Sequence, residues 1–218
     1  MMVLLRGEKK YARAHSFKKI WSKIIAVLGC IRVKVEYQGQ FPKEGPYVIC
    51  ANHASYLDII LMPLIIPDTF MFLGKAEVLK WPIVNAFFKR GIDIPVYRDS
   101  VKRVKECIDL AEIGIKEGRA IAIFPEGTMS TDGKLMRFKN GAFVLAKNCN
   151  VPIVPLTFQN NWMMFSDHLD FLGPARPGIA RMVVHEPIET TNKDLVSLRE
   201  ETFEVINKAL LEYEASRK

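Results

Sequence analysis

Residues 47–66 constrain the fold of this chain more than any other stretch. Tyr47, Val48, Ile49, Cys50 and Ala51 make a short apolar run of strand type, and residues 59–66 make a second apolar run that follows a helix start at Ser55. Between them lies a polar corner, Asn52-His53-Ala54-Ser55-Tyr56-Leu57-Asp58. A strand that breaks into a helix through a corner this short is the building unit of an α/β domain. Further runs at 33–37, 91–98, 120–124, 151–158 and 179–185 alternate with helix-like stretches such as 99–116 and 194–216. The expected architecture is therefore α/β, a central mostly parallel or mixed sheet flanked by helices.

The corner also carries chemistry. His53 and Asp58 lie five positions apart, so on one continuous helix they point in different directions; on a turn leading into a helix they can meet. An imidazole held by a carboxylate is a general base for a hydroxyl, and the carboxylate sets the ring's tautomer. The same residues also spell a capping box, in which Asp58 does no more than return a hydrogen bond to the Ser55 backbone. Cys50, three residues before His53, allows a Cys-His dyad on paper, but a cysteine inside an apolar strand is more often simply buried.

Two more polar groups fall at strand ends, where α/β folds place ligands. Residues 120–124 lead into Pro125-Glu126-Gly127-Thr128, whose glycine lets the backbone approach a bound group. Glu126 and Thr128 are candidate substrate contacts, although the tetrapeptide is also an ordinary turn. The run at 91–98 ends in the cation Arg98, whose alternative is a solvated surface arginine.

Taken in order, these blocks resemble the glycerolipid acyltransferase family, most closely its bacterial 1-acyl-sn-glycerol-3-phosphate acyltransferases. The resemblance runs over residues 47–158 and rests on Asn52-His53-x-Ser55-x-x-Asp58, the 91–98 block, Phe124-Pro125-Glu126-Gly127-Thr128, the 137–143 stretch and Val151-Pro152-Ile153-Val154-Pro155. It implies that His53 deprotonates the acceptor hydroxyl, that Asp58 orients His53, and that Arg98, Glu126 and Gly127 hold the acceptor's glycerol phosphate. Lys75 resembles a lysine found between the first and third blocks. No metal and no bound cofactor are implied; the acyl donor is a thioester on coenzyme A or acyl carrier protein. One departure concerns the acceptor. Family members commonly read Glu-Gly-Thr-Arg, and this chain has Met129 in the last place, which leaves Lys75, Arg98, Arg137 and Lys139 as cations for a phosphate, or points to another lyso-lipid such as a lyso-aminolipid.

With 218 residues, 49% hydrophobic and 25% charged, one well-buried domain is expected, residues 34–218, behind an N-terminal segment, 1–33. The net charge of +7 calls for an anionic partner, nucleic acid or membrane. The N-terminal segment favours the membrane. Lys9, Lys10, Arg13, Lys18, Lys19 and Lys23 surround Phe17, Ile20, Trp21, Ile24 and Ile25 at helical spacings, a basic amphipathic helix suited to an anionic bilayer surface; the alternative is a helix packed on the domain's own core. No run reaches the length of a membrane span, and the five apolar residues between Lys23 and Gly29 are too few for a secretory signal. Four unpaired cysteines (Cys30, Cys50, Cys107, Cys149) fit a reducing compartment. The expected place is the cytoplasmic face of the cell membrane, peripheral or monotopic, in phospholipid biosynthesis. A non-catalytic basic protein that binds membrane or nucleic acid is the alternative from another class.

Overall fold

The computed structural model describes residues 2–43, 45–75, 82–97, 100–165 and 173–217. In chain order the elements are α1 (Met2–Leu28), β1 (Ile31–Tyr37), β2 (Val48–Ala51), α2 (Tyr56–Leu61), β3 (Phe70–Lys75), α3 (Pro82–Lys89), β4 (Ile94–Val96), α4 (Val101–Lys116), β5 (Ala120–Ile123), α5 (Gly141–Cys149), β6 (Ile153–Phe158), α6 (Asn161–Met164), β7 (Gly178–Val184) and α7 (Leu195–Ala215). The strands form one mixed sheet in the order β1-β7-β6-β2-β5-β3-β4. Strands β6, β2, β5, β3 and β4 run parallel to one another; β7 is antiparallel to β6, and β1 pairs parallel to β7. The expected α/β architecture is thus the observed one.

Every residue of β2 is buried, because the sheet is covered on both faces. Ile49 and Ala51 join the core under α1 and α2, whereas Val48 and Cys50 point into the core under α4, α5 and α7. Strand β5 divides the same way, with Ala120 and Ala122 on the first face and Ile121 and Ile123 on the second. The parallel arrangement has one consequence for function. The chain leaves β2, β5, β3, β4 and β6 at the same edge of the sheet, so the segments beginning at Asn52, Phe124, Tyr97 and Gln159 converge there.

Helix α1 turns its polar side to the protein. Among its described side chains the buried ones are Ala14, His15, Lys18, Ser22 and Ala26, one stripe at helical spacing. Lys18 places its ammonium 2.6 Å from Asp93 Oδ1, which also accepts the Phe72 backbone N–H at 2.8 Å, and the rings of Phe70, Phe72 and Phe87 stand 5.0 to 5.2 Å from that ammonium. The sequence expectation that Lys18 belongs to the outward basic set is therefore corrected. A neighbouring carboxylate, 75 residues along the chain, draws it inward. His15 is buried beside it and packs edge-on against Phe70; burial, reinforced by Lys19 and Lys18, lowers its imidazole to about 4. On the opposite side Phe17, Ile20, Trp21, Ile24, Val27 and Leu28 are exposed, Ile20 by 58% and Leu28 by 79%. Lys9, Lys10, Arg13 and Lys23 are exposed as well. One face of the helix thus packs on the domain, as the second alternative expects, while the other leaves apolar and basic residues exposed. Among the described residues no helix is long and apolar enough to cross a membrane.

Candidate active site

The corner after β2 forms as its residue types dictate. Ser55 adopts extended backbone angles as the N-cap of α2, its hydroxyl oxygen accepts the Leu57 N–H at 3.1 Å, and Asp58 in the first turn completes the capping box. Asp58 Oδ2 accepts from Ser55 N at 2.9 Å, from Ala54 N at 2.8 Å and from the His53 ring at 3.0 Å through Nδ1. The cap and the contact with the imidazole, alternatives in the sequence, are made by one oxygen atom. The other, Oδ1, accepts from Asn161 Nδ2 at 2.8 Å. Asp58 is 1% exposed, and each of these four contacts offers it a donor.

With Nδ1 donating to Asp58, the imidazole presents the lone pair of Nε2. Its side chain is 13% exposed. The Phe124 ring lies stacked against it, centroids 4.1 Å apart and planes 19° apart. The His53 backbone is held from two sides: its N–H donates to Glu126 Oε1 at 2.7 Å and its carbonyl accepts from Ser130 N at 2.8 Å. Asn52 continues the β2–β6 ladder through its side chain, donating to Phe158 O at 2.9 Å and accepting from Phe158 N at 2.8 Å.

Glu126 comes to the site in another manner than as an open substrate ligand. Its second oxygen accepts the Met136 N–H at 2.8 Å, so both oxygens are engaged with backbone, and the side chain is buried. Burial raises its carboxyl to about 7, opposed by those two N–H groups and aided by the nearby Asp58 charge. Gly127 has φ +75°, a conformation that favours glycine, and a Cβ there would stand 2.7 Å from Lys139 Nζ, so the lysine lies against this loop. Lys75 reaches the same loop from the end of β3, its Nζ 3.5 Å from the hydroxyl of exposed Thr128. Arg137 is exposed, and Arg98 lies outside the described residues. The structure thus gathers His53, Asp58, Glu126, Gly127, Thr128 and Lys75 at one edge of the sheet.

Cys50 has no part in this. It belongs to the opposite core, and complete burial raises its thiol far above the ordinary range. Among the described residues no group of three or more His, Cys, Asp or Glu side chains could hold a metal ion. Asn161, Ser130 and Phe124 are contributors that spacing does not announce. Only the pair Asn160-Asn161, polar residues directly beyond a fully buried strand, gives a local sign. A polar groove of about 470 Å³ lined by Glu36, Arg181 and Tyr213 shares no residue with the corner.

Residues 32–159 match the family model described as Acyltransferase. Over 196 residues the chain is 28% identical to a chloroplastic 1-acyl-sn-glycerol-3-phosphate acyltransferase of Brassica napus, covering 89% of this chain and 56% of that one. It is 30% identical to 1-acyl-sn-glycerol-3-phosphate acyltransferase alpha of Mus musculus over 166 residues, 73% of this chain and 56% of the relative. The chain spans about half the length of the curated relatives it matches. Its fold is similar to the crystal structure of the 1-acyl-sn-glycerophosphate acyltransferase of Thermotoga maritima, with a TM-score of 0.82 and 25% identity, over 95% of this chain and 83% of that one.

Proposed function

Because the chain belongs to the acyltransferase family, on the match of residues 32–159, we propose that it moves a fatty acyl group from an acyl thioester to the free hydroxyl of 1-acyl-sn-glycerol 3-phosphate, giving phosphatidic acid. The observation that carries this reading is the 3.0 Å contact between His53 Nδ1 and buried Asp58, at the edge of the sheet where the parallel strands end.

In the reaction, Nε2 of His53 takes the proton of the acceptor hydroxyl as its oxygen attacks the thioester carbonyl. Asp58 stabilises the imidazolium that forms. The attack forms the C–O bond and a tetrahedral oxyanion; its collapse restores the carbonyl, breaks the C–S bond and expels a thiolate, which recovers the proton from His53 and leaves as the thiol. Glu126 acts through the backbone, holding the His53 N–H and the 136 loop in one geometry. Lys75 and Lys139 supply positive charge beside Gly127 and Thr128, where the acceptor phosphate would lie; Arg98, which the family resemblance assigns to the same phosphate, lies outside the described residues. The donor is acyl-CoA or acyl carrier protein, and no bound cofactor takes part.

The acceptor is a membrane lipid, and α1 supports work at the bilayer surface: an exposed apolar stripe flanked by exposed cations is what an anionic interface attracts. Peripheral attachment at the cytoplasmic face of the cell membrane follows from the same reading.

Met129 favours a second reading of the acceptor alone, a lyso-lipid without phosphate such as a lyso-aminolipid. A panel of lyso-acceptors, each assayed with both donor carriers, decides between them. Phosphate-dependent transfer is expected; transfer indifferent to the phosphate would remove the first reading. His53→Ala is expected to lose about 10² to 10⁴ in rate while remaining folded.

A further inference from the structure

We propose that Asn161 is a positioning residue for this reaction, acting on His53 through the far oxygen of Asp58. The inference rests on the reading of His53 as the base.

The two oxygens of Asp58 are served from different parts of the chain. Oδ2 takes its three hydrogen bonds from His53, Ala54 and Ser55, all within its own corner. Oδ1 takes its hydrogen bond from Asn161, 103 residues later, at the start of α6. Three interactions over so short a segment leave the carboxylate tied to a loop; Asn161 ties it to the sheet. Helix α6 is itself fastened at both ends. Before it, Asn160 donates to Ile179 O at 2.8 Å and accepts from Arg181 N at 2.8 Å, both on β7. After it, the Ser55 hydroxyl donates to Phe165 O at 2.7 Å. Asn161 therefore sits on a turn held at its start by β7, outside the corner, and bonded at its far end back to the corner through Ser55.

The amide has one useful orientation. Nδ2 faces Asp58, and reversing the group would set oxygen against oxygen. The Asn161 side chain is fully buried, and its own Oδ1 has no hydrogen-bond partner among the described residues. A buried acceptor in that condition destabilises the fold, so stability alone would favour an apolar residue of similar size at this position. What the asparagine provides is one directed donor to the carboxylate behind the base. That donor shares the carboxylate's charge and keeps its plane aligned with Nδ1–H while the imidazolium forms. It touches no substrate, so it acts on kcat and leaves acceptor KM unchanged.

The test exchanges the pair. Asn161→Ala, Asp58→Asn, and the double variant Asp58→Asn with Asn161→Asp are assayed beside His53→Ala, each with its thermal unfolding. In the double variant the amide oxygen at 58 can still accept Nδ1–H while its nitrogen donates to the carboxylate at 161, so the 58–161 hydrogen bond reverses direction but every donor still meets an acceptor. Asn161→Ala is expected to lower kcat about ten- to hundredfold with acceptor KM unchanged, as removal of a hydrogen bond to a charged group does. The double variant is expected to be about tenfold more active than Asp58→Asn alone. A folded double variant no better than Asp58→Asn, or an Asn161→Ala protein with wild-type kcat, overturns the proposal. If the double variant does not fold, the low-field Nδ1–H proton resonance of His53 in Asn161→Ala decides. It is expected to shift or broaden, and an unchanged signal refutes the role. Full activity of His53→Ala would defeat the base assignment itself; an inactive His53→Ala together with wild-type kcat in Asn161→Ala would defeat only this inference.

Discussion

Phe124 lies against the face of His53 opposite in kind to its hydrogen bonds: ring centroids are 4.1 Å apart and the planes differ by 19°. The same phenylalanine stacks in turn on Phe72 at 6.4 Å, so the imidazole closes an aromatic row that reaches back to β3. Asp58 holds one edge of the ring; Phe124 holds its plane. Aromatic pairs are worth about 0.5 to 1.5 kcal/mol beyond the area they bury. Phe124→Leu, which keeps most of the volume and removes the flat surface, is expected to lower kcat roughly three- to tenfold. Steady-state kinetics on the folded variant check this, and an unaltered kcat would show the stacking to be incidental.

The two lysines beside Gly127 and Thr128 are expected to act on binding. Lys75→Ala and Lys139→Ala should each raise KM for 1-acyl-sn-glycerol 3-phosphate by about ten- to hundredfold, with little change in kcat. A neutral monoacyl acceptor should not distinguish the variants from wild type. Equal losses on both acceptors would place the lysines outside phosphate recognition.

Glu126 gives stability a pH dependence whose sign follows from burial. Its carboxyl is raised from 4.5 to about 7, so between those values the folded chain holds a proton at this site that the unfolded chain has released. Stability therefore falls as pH rises through this window, and the loss, about 3 kcal/mol, is complete above it. Urea unfolding of wild type and Glu126→Gln from pH 4.5 to 8 should show the wild type losing ground to the variant over this range. Parallel curves would contradict it.

Replacing Ile20 and Ile24 together by aspartate should reduce binding to anionic phospholipid vesicles at least tenfold, because the stripe that enters the interface is interrupted. Both residues are exposed, so unfolding free energy in the absence of lipid should change by about 0.5 kcal/mol or less for each. Co-sedimentation with vesicles and urea titration measure the two effects. Loss of stability without loss of binding would mean that this side of α1 packs on protein.

How much of this is legible in sequence depends on how far apart the interacting residues lie. The strand of β2, the cap at Ser55 and the meeting of His53 with Asp58 are readable because they depend on neighbours within a few positions. Strand β3 is harder. Phe70-Met71-Phe72-Leu73-Gly74-Lys75 has no β-branched residue, and it is a strand because β5 and β4 pair with it on either side. Periodicity identifies the apolar side of α1 but not which side faces the protein; that is decided by Asp93 capturing Lys18. Asn161 is the extreme case, since its side-chain hydrogen bond to Asp58 reaches across 103 residues and the local chain offers only the polar pair Asn160-Asn161 as a sign. Glu126 illustrates a different limit. A motif shows that a carboxylate belongs at the site, while only coordinates reveal that it faces backbone N–H groups.

The four donors around Asp58 leave that carboxylate no part in carrying hydrogen ions. On the proposed reading, the proton that His53 takes from the alcohol returns by way of His53 to the departing sulfur, and each cycle ends with the enzyme in its starting charge state. Such a site exchanges nothing with the surrounding medium between rounds, so its turnover should be insensitive to buffer concentration at constant pH and ionic strength.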